Sequence, residues 1–66
     1  MAHPIHEQGD IATFYDFETG RVWRQHQRNP NIPPEYADGT WPSFDAAKKA
    51  FFSGDMKWPK IDQQNV

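Results

Sequence analysis

Apolar positions along this chain gather into short stretches with two different periods. Between positions 11 and 26, Ile11, Ala12, Phe14, Tyr15, Val22 and Trp23 crowd around a central polar stretch. Such β-branched and aromatic residues suit a pleated surface and predict two strands, residues 11–15 and 22–26. Further on, Phe44, Ala47 and Phe51 recur at helical spacing and predict a helix over residues 44–52. Ser43 is a favoured N-cap, Asp45 sits in the first turn where carboxylates are stabilised, and Gly54 lies just past the end. Elsewhere the pattern fades. Residues 1–10 are polar, contain Pro4 and Gly9, and predict a flexible N-terminal arm. Residues 27–40 carry three prolines and the Asp38-Gly39 turn, which excludes a regular helix or a central strand. Residues 56–61 read as an extended strap, with 57–61 available as a third strand. The fold class expected is therefore α+β: one small domain over residues 11–61, built from a β-hairpin, or a three-stranded antiparallel sheet, with one packed α-helix and a Pro-rich loop. Residues 62–66 are expected to be a loose C-terminal tail.

The hairpin turn is written in Tyr15-Asp16-Phe17-Glu18-Thr19-Gly20-Arg21. Asp16 can accept hydrogen bonds from N–H groups two or more residues on, and Gly20 supplies a positive φ. These residues resemble the turn of the designed mini-hairpin chignolin, with Phe17 in place of its proline and Val22 in place of its tryptophan. The likeness spans eight residues and implies a local conformation, not a function. A four-residue loop pairs Tyr15 with Val22, Phe14 with Trp23, Thr13 with Arg24 and Ile11 with His26. A three-residue loop with Gly20 in a bulge pairs Tyr15 with Trp23 instead and shifts every partner. In the first register one face carries Ile11, Tyr15 and Val22, and the other Ala12, Phe14 and Trp23. Both faces are partly apolar. The core is expected around Phe14, Trp23, Phe44, Phe51 and Trp58, with Ile11 or Val22.

Trp41-Pro42 and Trp58-Pro59 bracket the helix. A WW domain also combines tryptophan, proline and aromatic strands, but it is all sheet, so the intervening helix argues against it. The two rings more simply clamp the ends of the helix onto the sheet.

Composition narrows the class. A chain of 66 residues removes a modest share of its surface from water, roughly 60% at this length. With no cysteine, disulfides and thiolate zinc sites are excluded. Ten aromatic residues supply large rings in their place. Neither a secretion signal nor a run of about 20 apolar residues is present, so a cytoplasmic protein without membrane contact is expected. Net charge is −2, yet the first twenty residues hold four acids and no Lys or Arg, whereas Arg21, Arg24 and Arg28 follow together. Segregated charge of this kind orients partners.

No motif for catalysis stands out. Ser43, Ser53, Asp16, Glu18 and Asp45 are accounted for by caps and turns, so no enzyme, cofactor or metal is expected. His3, His6 and Glu7 offer imidazole and carboxylate ligands, which His26 completes only if the arm folds back onto the hairpin, but the arm has no second shell to orient them. The Pro-rich segment from Pro30 to Pro34 is either a stiff connection or a docking strip for an aromatic groove. Tryptophan, tyrosine and arginine are the residue types that anchor interfaces. The reading favoured is a small non-catalytic adaptor, inhibitor or accessory subunit that binds a larger protein through Tyr15, Arg24 and Tyr36. One alternative is binding of single-stranded nucleic acid along Arg21, Trp23, Arg24 and Arg28, with bases on rings and phosphates on guanidinium groups. Another is a homodimer that buries the second hairpin face.

Overall fold

Five elements follow one another in a computed structural model that describes residues 2–59: strands β1 (Ala2–Gln8), β2 (Ile11–Asp16), β3 (Val22–His26) and β4 (Glu35–Tyr36), then helix α1 (Phe44–Ser53). The strands form one antiparallel sheet in the order β1-β2-β3-β4. The fold is thus a small α+β domain built on a β-hairpin.

The central hairpin takes the four-residue loop. Tyr15 lies opposite Val22, Phe14 opposite Trp23, Thr13 opposite Arg24 and Ile11 opposite His26. Asp16 organises the turn: its Oδ1 accepts from the Glu18 N–H at 3.0 Å and its Oδ2 from the Thr19 hydroxyl at 3.1 Å. The Gly20 N–H donates to the Asp16 carbonyl at 2.8 Å, with Gly20 at φ 76°.

Residues 2–8 are not the flexible arm expected but an edge strand paired along β2, from Ala2 opposite Asp16 to Gln8 opposite Ile11. Gly9 and Asp10 make the tight turn between them, Gly9 at φ 59° in the first central position. The Asp10 carboxylate also accepts the Arg28 N–H at 2.7 Å, tying this turn to the far end of β3. Pro4 is compatible with a strand only because β1 lies at the edge. The register shifts between Pro4 and His6, and Ile5 there turns into the core.

The third strand expected at 57–61 does not form within the described residues: Met56 is buried, and the Lys57 carbonyl accepts the Asp38 N–H at 2.8 Å without entering the sheet. Positions 60 and 61, and the expected tail at 62–66, lie outside the described residues. The sheet instead widens through β1 and through the two-residue β4 just after Pro33-Pro34.

Helix α1 begins where the Ser43 hydroxyl accepts the Ala46 N–H at 3.1 Å, and Gly54 ends it at φ 82°. Its apolar stripe turns toward β1 more than toward the hairpin: His3 lies 6.3 Å from Phe44 and His6 5.5 Å from Phe51, ring centre to ring centre. The core consists of Ile5, Tyr15, Val22, Ala37, Ala47 and Met56, flanked by Trp41, Phe44, Ala50, Phe51 and Trp58. Phe14 and Trp23, expected at its centre, lie on the opposite side of the sheet. Strand alternation puts Tyr15 and Val22 on one face, and the crossing chain selects that face for burial.

That crossing is tight. Trp41 donates its N–H to the Gly20 carbonyl at 2.8 Å, and its own carbonyl accepts the Tyr15 hydroxyl at 2.7 Å. A Cβ on Gly20 would stand 2.8 Å from the Trp41 oxygen, whereas one on Gly54 would meet open space. Gly54→Ala should therefore cost only the positive-φ penalty of about 1 kcal/mol, and Gly20→Ala that penalty plus the clash, about 2–4 kcal/mol together. Urea unfolding of the two variants measures the difference; equal losses would show that the Trp41 crossing is loose.

Candidate binding surface

On the side of the sheet away from the core, alternation aligns one ring from each strand. Pro4 is opposite Phe14, Phe14 opposite Trp23, and Trp23 opposite Tyr36. Directly opposed residues of antiparallel strands share a face, so the four rings form a row spanning three strand spacings, about 14 Å. The Phe14 and Trp23 rings stack with centroids 5.7 Å apart at 21°, and Trp23 meets Tyr36 at 5.8 Å. Trp23 is further oriented by its indole N–H, which donates to Gln25 Oε1 at 3.3 Å. Pro4 is exposed, Phe14 and Trp23 are half-buried, and Tyr36 keeps 40% of its surface open.

Arg21 closes the row. Its guanidinium carbon lies 4.4 Å from the Tyr36 ring centre, and the side chain makes no ion pair among the described residues. It does not neutralise Glu18 across the turn. Cation and ring hold each other in place and leave the guanidinium edge free to receive an acidic or carbonyl oxygen.

The residues singled out from the sequence divide between the two sides. Tyr15 is buried at 2% exposure, with its hydroxyl bonded to Trp41, so it is a core residue and not an exposed anchor. Arg24 faces the core side, where Nε donates to Glu35 Oε1 at 2.7 Å and the guanidinium lies 4.2 Å above the Trp58 ring. Tyr36 and Trp23 belong to the outer row. Arg28 falls beyond β3, so the run Arg21, Trp23, Arg24 and Arg28 does not make one continuous platform: strand alternation separates Arg24 from Trp23. Phe14 and Pro4 are members of the row that the sequence does not single out as site residues, because its pattern places Phe14 in the core and Pro4 in the N-terminal arm.

Other chemistry is sparse. No group of three or more potential metal-ligating side chains occurs among the described residues. His3 and His6 pack edge-on or tilted against Phe17, Phe44, Phe51 and Phe52. Ser43 caps α1, while the Ser53 hydroxyl donates to the Ala50 carbonyl. No helix among the described residues is long and apolar enough to cross a membrane. Comparison with known protein families, curated proteins and solved structures finds no match.

Asp16 carries the clearest electrostatic signature. The Glu18 backbone N–H holds its carboxyl below the ordinary value, desolvation opposes this, and the Thr19 hydroxyl reinforces the lowering. A carboxyl with a folded value below its unfolded one contributes stability above the unfolded value, and loses it as pH falls through the folded one. Asp16→Asn should accordingly be less stable than the parent near neutral pH, with the gap closing in acid, as thermal melts from about pH 7 to about pH 2 would record. Tyr15→Phe should lower stability by about 1 kcal/mol through loss of the Trp41 bond, a shift visible in urea midpoints. An unchanged midpoint would show that the hydroxyl's bond to Trp41 adds no net stability.

Proposed function

We propose that this protein is a non-catalytic interaction module that docks a larger protein on the outer face of its sheet. The observation that carries the reading is the row Pro4, Phe14, Trp23 and Tyr36, left out of the core cluster and ending at Arg21, which makes no ion pair among the described residues. Aromatic anchors beside an arginine are the features in which interface energy concentrates. The rings are already fixed by one another, so little side-chain freedom remains to be lost on docking. The partner that fits is a protein surface with an apolar strip laid across the strands and a carboxylate at the Arg21 end.

Nucleic acid fits this face less well. Of the cations considered for it, only Arg21 lies beside the rings, and Asp16 and Glu7 occupy the same face by register. Phosphate backbones favour a continuous positive track.

Affinity capture from cell extract, with and without nuclease, should be run with the parent protein and with Tyr36→Ala and Arg21→Glu. A protein retained after nuclease treatment by the parent and lost by both variants supports the reading. With the purified partner, Tyr36→Ala should weaken binding by about 2 kcal/mol while the melting temperature moves little. Nuclease-sensitive capture would overturn the proposal in favour of nucleic acid. A concentration-dependent dimer in sedimentation, lost on Tyr36→Ala, would identify a second copy of this chain as the occupant instead.

A further inference from the structure

On the core side of the sheet, past the end of the helical cover, β1, β2 and β3 leave a hollow of about 270 Å³ lined by His6, Gln8, Ile11, Thr13, Arg24 and Phe51. Its floor contains an anomaly. Thr13 is only 3% exposed, yet its hydroxyl makes no hydrogen bond among the described residues. A buried hydroxyl without a partner destabilises the fold, and valine of nearly the same shape would avoid the cost. Directly opposite Thr13 stands Arg24, whose guanidinium is held from two sides, by Glu35 at Nε and by the Trp58 ring. The remaining guanidinium N–H groups are therefore presented in a fixed orientation.

We propose that this hollow is a binding site for a carboxylate joined to a compact apolar body. The polar lining, Arg24, Thr13, Gln8 and His6, offers donors, and no carboxylate belongs to the lining among the described residues. Arg24 is suited to carboxylates because its planar fork matches two oxygens. Ile11 and Phe51 supply the apolar walls, which a bare oxyanion would leave unused. The volume lies just below the roughly 300 Å³ at which ordinary ligand pockets begin, so the group accommodated is small. It lies on the other side of the sheet from the ring row and stands or falls independently of docking there. Such a carboxylate is either a free organic acid or the C-terminus of a peptide chain.

The test is titration of the isotope-labelled full chain, followed by amide and side-chain NMR shifts. The probes are phenylacetate and its neutral counterpart phenylethanol, and a short peptide ending in phenylalanine with a free or an amidated C-terminus. Saturable shifts at His6, Thr13, Arg24 and Phe51 with an acid, absent with its neutral counterpart, support the site. Phenylacetate alone points to a free acid, and the free-acid peptide to a chain terminus. Thr13→Val should weaken binding about fivefold to tenfold while raising the melting temperature, a combination that a purely structural threonine would not produce. Arg24→Gln should abolish the charge preference, with the undisturbed shifts of the outer face confirming that the fold persists. No shifts at these residues with any acid probe, equal shifts with neutral probes, or unchanged affinity in Thr13→Val would each overturn the proposal.

Discussion

The contact on which the rest depends is the crossing of Trp41 over the hairpin turn at Gly20. Two hydrogen bonds hold it, one from the Trp41 N–H to the Gly20 carbonyl and one from the Tyr15 hydroxyl to the Trp41 carbonyl. Both anchor points come from a turn whose conformation is locally determined by Asp16 and Gly20. The chain arrives at Trp41 from the Pro-rich loop and leaves into Ser43, the cap of α1. Fixing Trp41 therefore fixes where the helix starts, and hence which side of the sheet it covers. Close approach of two backbones is possible there because Gly20 carries no Cβ.

The core so enclosed is assembled from modest side chains. Val22 is the largest fully buried one, joined by Ala37 and Ala47, with Ile5, Tyr15 and Met56 nearly covered. Many of the large rings lie around this nucleus rather than within it. His3, Phe17, Phe44 and Tyr15 meet along the β1 side of the helix at edge or stacked geometries. In a chain without disulfides, such peripheral ring contacts extend the apolar contact area beyond what a small interior can hold. The β1 edge is guarded as edges commonly are, by a proline and a register shift that spoil a regular row of free backbone groups.

Sheet alternation also distributes the chemistry. Trp23 and Arg24 are neighbours in sequence and occupy opposite sides: Trp23 joins the outer rings, Arg24 the hollow near Thr13. The same alternation places Arg21 with Tyr36, although they stand fifteen positions apart in the chain. Two surfaces of different character result, one aromatic with Arg21 at its end, the other a small polar recess.

What the sequence by itself determined is local. Asp16, Thr19 and Gly20 specify a turn through bonds spanning a few residues, and Ser43 and Gly54 bound a helix by the same short-range means. The turn residues leave two β2–β3 registers open, and the structure takes the four-residue loop, which sets the two faces. The strand at residues 2–8 was less legible, because its single buried apolar residue, Ile5, gives no alternation, and its one turn signal is the Gly9-Asp10 pair. Only the tertiary structure decided which apolar face became the core. Both faces of the hairpin are rich enough in apolar groups to be buried, and local propensity does not distinguish them. The choice rests on where Trp41 crosses and on Ala37, Ala47 and Met56 arriving from far along the chain. That non-local choice turned Tyr15 inward and left Phe14, Trp23 and Tyr36 facing outward.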